Sequence, residues 1–429
     1  MSSSVRPRSR TIVALIAATL LLLSGAAAWS GGAQEEVDET VTITWARGVD
    51  HTGASQKIVE AFNASQDRIV VELLELPADE GSQHDAYVTS FSGEGTEYDV
   101  FNSNVIWPAE FSDAGFALPV DRFIERDGIN LDDYVEGYID AYTFRGQMWG
   151  MPWYGNAGLL YYRTDIVDTP PETWDELIEM AARYVGEGGT RFGYAFQADQ
   201  YEGLVCNAVE FIASYGGEIM DFDGNVTINN PGTIKGLEKL VEIAQRDFVP
   251  ADIVNFKEHE TLTSFIAGDV VFARNWPYMW GISQNEQESS VAGNVGTAPL
   301  PAGDAGSASA LGGWGIMINR FTENPEEAWE FVKFLTGVEG QRIHAIEGAQ
   351  LPTYTPLYRD QEVMEVNPAF AMFEEGIRAA VPRPTSPIYP EISDIIQIEL
   401  SRAIVGEQTV VQAVETMERR MSEAIRAAR

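Results

Sequence analysis

Short segments rich in β-branched and apolar residues alternate along this chain with segments whose apolar residues recur every three to four positions. Residues 41–45 and 69–76 are typical of strands, and residues 54–62 between them have the periodicity of a helix. Further along, Thr173 and Glu176 have the spacing of a capping box before a second amphipathic segment. This alternation predicts an α/β fold with parallel strands.

The composition predicts a folded chain and excludes several functions. Of the 429 residues, 45% are hydrophobic, which suffices for a core, and the length suggests two or three domains. With 28 basic and 65 acidic residues, the net charge of −37 argues against binding to nucleic acid or anionic lipid. One cysteine, Cys206, and four histidines without zinc-binding spacing predict no internal disulfide, no metal site and no cofactor.

Residues 1–34 have the pattern of an export signal. Three arginines precede an apolar run over residues 12–23, and small residues follow it. We expect cleavage near residues 28–33, which would place the mature protein in the periplasm or outside the cell. The alternative is an uncleaved anchor, since residues 12–29 are about long enough to span a bilayer. No cysteine lies near the cleavage region, so lipid attachment is not expected.

Large aromatic residues stand beside proline or glycine at four places in the sequence. They are Trp107, Trp153 with Tyr154, Trp276 with Tyr278, and Trp314. Proline and glycine can place such rings on loops, and loops on an α/β scaffold commonly bind ligands. An aromatic plane covers the C–H face of a sugar, while amide, carboxylate and guanidinium groups bond its hydroxyls. These loops therefore indicate a carbohydrate site, with packing in the core as the alternative for each ring.

A series of motifs spread over the chain carries a resemblance to a known family. The motifs are residues 42–48 (TITWARG), 98–100 (YDV), 105–111 (VIWPAEF), 150–154 (GMPWY), 201–207 (YEGLVCN), 274–278 (RNWPY), 311–314 (LGGW) and 381–384 (VPRP). Through these motifs the chain resembles the extracellular solute-binding proteins of bacterial ABC importers. It is most similar to their trehalose- and maltose-binding branch, which is maltose-binding-protein-like.

The resemblance implies a two-lobed periplasmic-binding-protein fold of type II, with the ligand in a cleft between the lobes. The implied hinge crossings number three, near residues 150–153, 311–314 and 349–352. Lobe one would comprise residues 36–150 and 314–349, and lobe two residues 151–313 and 350–429. Several crossings restrict the lobes to a hinge motion, so that a ligand shifts an open–closed equilibrium.

The resemblance also implies the residues of the ligand site. Trp153, Tyr154, Trp276 and Tyr278 would pack on the sugar, Gly313 and Trp314 would line the hinge side of the cleft, and Arg383 would donate to hydroxyls. Asp50 and Glu258 are candidate acceptors. Relatives commonly carry aspartate where this chain has Asn104 and Asn156. Because an amide both donates and accepts hydrogen bonds, these changes alter which hydroxyl groups of a sugar the site can bond.

The sequence therefore predicts a binding protein, not an enzyme, for a disaccharide or short oligosaccharide such as a trehalose- or maltose-like α-glucoside. Its partners would be the permease subunits of an ABC importer with their cytoplasmic ATPase, and the protein itself would be a monomer. The alternatives are a secreted glycoside hydrolase, a binding protein for a chemoreceptor, and a protein that binds a non-sugar osmolyte. A hydrolase would need two carboxylates about 5–10 Å apart, and no motif positions such a pair.

Overall fold

Thirteen strands form the sheets of the described residues. A computed structural model describes residues 40–77, 80–221, 224–367, 369–378 and 380–428, so the predicted export signal lies outside it. The strands are β1 (Val41–Gly48), β2 (Ile69–Leu76), β3 (Val100–Asn104), β4 (Thr143–Phe144), β5 (Gln147–Met148), β6 (Met151–Ala157), β7 (Leu159–Arg163), β8 (Phe192–Ala195), β9 (Val270–Asn275), β10 (Val295–Ala298), β11 (Ser309–Ile318), β12 (Leu351–Pro352) and β13 (Ala380–Val381).

Helices lie between and around these strands, as the alternation in the sequence predicts. They are α1 (Ala54–Ser65), α2 (Glu80–Ser92), α3 (Pro108–Asp113), α4 (Asp121–Asp127), α5 (Glu136–Ala141), α6 (Trp174–Tyr184), α7 (Glu202–Ser214), α8 (Pro231–Ala244), α9 (Glu258–Ile266), α10 (Tyr278–Ser283), α11 (Pro325–Thr336), α12 (Val338–Gly348), α13 (Gln361–Val366), α14 (Phe370–Arg378), α15 (Tyr389–Ile404) and α16 (Val410–Ala428). The predicted capping box is present, because the Thr173 hydroxyl accepts from the N–H of Glu176 and the Glu176 carboxylate accepts from the N–H of Thr173.

The larger sheet has seven strands in the order β12-β6-β11-β3-β1-β2, with β13 paired to the start of β11. Strand β1 runs parallel to β2 and β3, which confirms the prediction for this part of the chain. Strand β11 runs antiparallel to β3 on one side and to β6 on the other. It therefore carries residues from the last third of the chain into the centre of the sheet.

The smaller sheet has the order β10-β7-β9-β8, in which only β8 and β9 are parallel. Helices α6, α7, α8, α15 and α16 contribute to the apolar cluster that packs around it. In that cluster Trp174 stacks on Phe211 with ring centroids 4.0 Å apart. Because α7 is buried along nearly its whole length, it is a central support of this part of the molecule.

The strand pairing shows where the chain crosses from one sheet to the other; we call these three crossing points the passages. The chain leaves the larger sheet at Gly158, returns to it at Ser309, and leaves it again after Val381. We call the part built on the larger sheet the larger lobe and the part built on the smaller sheet the smaller lobe; both belong to one compact unit that begins at Thr40.

The strands run past the predicted crossings. Residues 151–157 and 351–352, which the resemblance placed in lobe two, are strands of the larger sheet. Helices α13 and α14 also pack into the core of the larger lobe. The Gly-Met-Pro and Gly-Gly breaks in the sequence therefore lie inside or beside strands rather than at the passages. The hinge motion itself stays a prediction.

Candidate ligand-binding cleft

Predicted site residues lie side by side on three neighbouring strands of the larger sheet. Trp314 of β11 pairs with Asn104 of β3 on one side and with Tyr154 of β6 on the other. Gly312 of β11 pairs with Asn156, two residues after Tyr154 on the same side of β6. Directly paired residues in antiparallel strands project from the same face of a sheet. We call Asn104, Trp314, Tyr154 and Asn156 the sheet wall.

Trp153 differs from its neighbour Tyr154. Its side chain is fully buried, stacks on His344 at a centroid distance of 4.1 Å and meets Trp45 edge-on at 5.4 Å. Burial lowers the pKa of His344 well below its ordinary value, so the stack joins two neutral rings. Tyr154 meets Trp153 edge-on at 5.0 Å and His344 at 4.9 Å, so the three rings pack together, but Tyr154 is only half-buried. The structure thus places Trp153 in the core and not on a ligand.

Two glycines of β11 lie where neighbouring residues approach closely, and at Gly312 the neighbour belongs to the smaller lobe. Gly313 has a φ of 129°, and a Cβ there would lie 2.4 Å from the carbonyl oxygen of Tyr154. At Gly312, a Cβ would lie 3.2 Å from the ring of Trp276. The ring of Trp276, which follows strand β9 of the smaller lobe, therefore packs directly beside the sheet wall.

Trp276 is held in place on two sides. The Arg274 guanidinium carbon lies 3.9 Å from the ring centroid, and the indole N–H donates to Glu258 at 3.2 Å. The ring is half-buried, so its exposed surface lies away from the guanidinium. Tyr278 begins α10 and is 37% exposed. Burial, followed by the Glu258 carboxylate, raises the pKa of Tyr278, so its hydroxyl stays protonated.

Glu258, a predicted ligand acceptor, is already occupied by protein donors. One carboxylate oxygen accepts from the hydroxyl of Tyr201 at 2.8 Å, and the other accepts from Trp276. Burial, and then the charge and hydrogen bond of Glu258, raise the pKa of Tyr201. The carboxylate is therefore a support that fixes the ring of Trp276.

Arg274 and Glu210 form an ion pair whose side chains are both fully buried. The arginine Nε–H donates to both oxygens of Glu210, at 3.1 and 3.2 Å, and Nη1 donates to Gln197 at 3.0 Å. Glu210 also accepts from the N–H of Ala310, at the start of β11. A Cβ at Gly158 would lie 2.1 Å from the Glu210 carboxylate. The pair thus joins α7, β9 and β11; no pattern in the sequence singled out Glu210.

Arg383 lies just beyond β13, where the chain leaves the larger sheet, and its side chain is only 4% exposed. Its Nη1 donates to Glu202 at 2.7 Å, while Nη2 faces the Asn104 side-chain oxygen at 3.5 Å and the Leu311 carbonyl at 3.4 Å. Its Nε is buried without a partner in the part of the chain that the structure describes. Arg383 therefore links the two lobes and does not stand free as a donor to ligand hydroxyls.

Two glutamates at helix starts adjoin Arg383, and the sequence did not single out either one. Glu202 begins α7 and accepts from Tyr389 and Ser393 as well as from Arg383. Its position inside the motif at residues 201–207 was the available signal. Glu80 begins α2 and is half-buried, and burial followed by repulsion from Glu202 and Glu258 raises its pKa to about 7, against the opposing charges of Arg383 and His84.

Asp50, the other predicted acceptor, is engaged by its own loop. Its carboxylate accepts from the N–H groups of Thr52 and Ser55 at 2.9 and 2.7 Å and lies 3.6 Å from Arg47. Burial alone would raise the pKa of Asp50, but the bonds from Thr52 and Ser55 and the charge of Arg47 outweigh it and lower that pKa. Asp50 therefore braces the connection between β1 and α1.

A separate groove of about 1100 Å³ lies between other parts of the two lobes. It is bordered by α3 and the β4–β5 hairpin of the larger lobe, and by the second half of α7 and residues 381–388. Of the predicted site residues, only Arg383 borders it. The groove is therefore distinct from the aromatic residues that the sequence predicts to bind a ligand.

Three further features of the described residues concern metal ligands, the thiol of Cys206 and membrane-spanning helices. Across those ranges, no group of three or more histidine, cysteine, aspartate or glutamate residues is placed to hold a metal ion. Cys206 is a buried free cysteine of α7, and burial raises the pKa of its thiol to about 12. No helix within the described ranges combines the length and the apolar character needed to cross a membrane.

Comparisons with known proteins define the family. Residues 48–342 match the family described as bacterial extracellular solute-binding protein. A Deinococcus radiodurans protein named "Probable ABC transporter-binding protein" is 32% identical over 81% of this chain and 85% of its own length. A "Probable amino-acid ABC transporter periplasmic-binding protein y4oP" of Sinorhizobium fredii is 24% identical over 98% of both chains. Maltose-bound T. maritima MalE3 is 34% identical, covers 90% of this chain and 100% of its own, and superposes with a TM-score of 0.80.

The chain belongs to the bacterial extracellular solute-binding proteins, because the family match covers more than half of its residues. This confirms the family that the motifs indicated. The superposition with MalE3 over nearly the whole described chain also confirms the two-lobed α/β fold.

Proposed function

We propose that this protein is the substrate-binding component of an ABC importer and that it holds a disaccharide or short oligosaccharide, such as a trehalose- or maltose-like α-glucoside, between its lobes. The observation that carries the proposal is the sheet wall, which sets two aromatic rings beside two amides, with the ring of Trp276 packed against it at Gly312. Aromatic faces match the C–H surfaces of sugar rings, and amides can both donate to and accept from hydroxyls. The maltose in the MalE3 structure supports the same ligand class.

In this proposal the exported protein delivers its sugar to permease subunits that are driven by a cytoplasmic ATPase. The D. radiodurans relative, whose name places it with an ABC transporter, supports that role. We propose that the protein acts as a monomer in the periplasm or outside the cell, after removal of the signal at residues 1–34.

An amino acid is the second candidate ligand, because the S. fredii relative carries that name. An amino acid needs a cation that holds its carboxylate. The arginines that adjoin the sheet wall are already paired: Arg274 with Glu210, Arg383 with Glu202, and Arg47, whose charge acts on Tyr154, with Asp50. This pairing favours a neutral ligand.

Thermal unfolding against a panel of ligands tests the ligand class. The panel contains trehalose, maltose, sucrose, kojibiose, longer glucosides, the common amino acids and a non-sugar osmolyte. A ligand at one hundred times its Kd adds about 2.7 kcal/mol to the free energy of unfolding, which raises the midpoint by several degrees. If only an amino acid or the osmolyte raises the midpoint, the proposed ligand class is wrong.

A Trp276→Ala variant tests the site. We expect the variant to remain folded and to lose most of the midpoint shift produced by the best saccharide, since the ring that packs against the sheet wall is gone. Trp149→Ala is the matched control, because Trp149 is also half-buried and its indole N–H donates to the Phe144 carbonyl at 3.0 Å. An unchanged ligand shift in Trp276→Ala would contradict the assignment of the site.

A further inference from the structure

The side-chain oxygen of Asn104 is approached by two hydrogen-bond donors. The N–H of Ile106 lies 3.3 Å from Oδ1, and Nη2 of Arg383 lies 3.5 Å from it. If the amide were turned over, its NH₂ group would face these two donors. The surroundings therefore fix which end of the amide points toward Arg383 and which end points away.

The other end of the amide is unused by the protein. Among the described residues no acceptor bonds Nδ2, and this nitrogen is not one of the buried polar atoms that lack a partner, so it reaches solvent. Asn104 lies opposite Trp314 in the sheet wall. At this position the wall therefore presents a hydrogen-bond donor.

The orientation depends on a chain of contacts that runs back into the smaller lobe. Arg383 is held by Glu202 at 2.7 Å, and Glu202 is held in turn by the hydroxyls of Tyr389 and Ser393 on α15. The Arg383 side chain is nearly sealed from solvent, so its guanidinium has little freedom to turn. The Arg383 guanidinium is therefore fixed by contacts in the smaller lobe, while it faces the Asn104 amide of the larger lobe.

We propose that Asn104 recognises the ligand as a hydrogen-bond donor, and that Arg383 and Glu202 are positioning residues that hold its amide in this orientation. The inference rests on the proposed function and names the group that Asn104 recognises: a hydroxyl or ether oxygen that accepts a hydrogen bond. An aspartate at this position would offer acceptors only. It would also turn toward the Arg383 guanidinium as a charged pair, and the wall would lose its donor.

Calorimetric titration with modified sugars tests the polarity of this contact. The probes are maltose and trehalose with their monodeoxy and monodeoxyfluoro analogues, because fluorine can accept a hydrogen bond but cannot donate one. For the sugar position that contacts Asn104, we expect the wild-type protein to bind the fluoro analogue at least threefold more tightly than the deoxy analogue. In Asn104→Asp this preference should disappear, and affinity for the parent sugar should fall about tenfold or more.

Variants of Glu202 test the positioning role. Glu202→Gln weakens the hold on Arg383 and should lose the preference for fluoro over deoxy analogues, whereas Glu202→Asp should recover part of it. Glu72→Gln, on the exposed side of edge strand β2, is the control and should leave the preference unchanged. Unfolding midpoints without sugar establish that each variant is folded.

The outcomes separate the two proposals. Equal preferences in the wild type and Asn104→Asp would overturn the donor assignment. A preference lost in Asn104→Asp but kept in Glu202→Gln would overturn the positioning role. If no saccharide binds the wild-type protein, the proposed function fails and this inference fails with it.

Discussion

Two arginine–glutamate pairs adjoin the candidate cleft, and they differ in how completely they are bonded. Arg274 and Glu210 are both fully buried, and every contact of the Arg274 guanidinium to Glu210 and Gln197 is 3.2 Å or shorter. Arg383 has one short bond, to Glu202, two contacts of 3.4–3.5 Å, and an Nε without a partner among the described residues.

This difference indicates different roles for the two pairs. A buried charge pair is favourable only when the remaining donors and acceptors are also bonded, so the Arg274–Glu210 pair acts as a support that holds its elements together. The Arg383–Glu202 pair lies where the chain passes between the lobes and leaves donors unused. Because Glu202 fixes the guanidinium, this pair instead positions the Asn104 amide of the larger lobe.

The largest expected effect is that of Glu210→Gln on stability. Removing one charge of a fully buried pair leaves Arg274 uncompensated, which costs about 3–5 kcal/mol. Urea unfolding measures this loss, and the double variant Arg274→Met/Glu210→Leu should recover much of it. A loss below about 1 kcal/mol would show that the pair is not a support.

An intermediate effect is expected for Arg383→Gln. Glu202 keeps its bonds from Tyr389 and Ser393, so the free energy of unfolding should fall by only about 1–3 kcal/mol. The midpoint shift produced by the best saccharide should be largely lost, because the Asn104 amide is no longer held. If this variant is destabilised as strongly as Glu210→Gln, the distinction between the two pairs is wrong.

The smallest expected effect concerns the pH dependence of stability at Glu80. Its pKa of about 7 in the folded protein exceeds its ordinary value of 4.5, so the folded state binds more protons than the unfolded state between these values. The contribution of Glu80 is therefore fully present below about pH 4.5 and is lost as the pH rises through about 7. Unfolding midpoints of the wild type and Glu80→Gln, measured from pH 4.5 to 8, should diverge as the pH rises.

A variant of Arg383 gives a second test of the pKa of Glu80. Its charge lowers the pKa of Glu80, so Arg383→Gln should move the pH window of Glu80 upward. A wild-type protein and a Glu80→Gln variant with parallel pH profiles would contradict the burial and repulsion that raise this pKa.

Local patterns in the sequence predicted much of the fold. The runs of β-branched residues gave β1 and β2, and Thr173 with Glu176 gave the start of α6, because these features depend on neighbouring residues. The path of β6 through the predicted crossing was missed because a strand that contains Pro152 is stabilised by its partners β11 and β12, which are distant in sequence.

The candidate site was predicted less completely, for reasons of geometry. Trp153 and Tyr154 were both predicted to pack on the ligand, yet Trp153 is fully buried and Tyr154 only half-buried. The burial of Trp153 depends on Trp45 and His344, which are distant in sequence. The contact between Asn104 and Arg383 joins residues 279 positions apart, so no spacing in the sequence could indicate it.

Gly158 limits how this molecule can diverge in evolution. A methyl group at this passage would collide with the Glu210 carboxylate and with the Arg274 guanidinium, 2.1 and 2.6 Å away. Any side chain there must displace a fully buried ion pair, so we expect the position to tolerate no replacement that keeps the pair intact. New ligand preferences would then arise by substitutions in the sheet wall, while the residue at position 158 stays glycine.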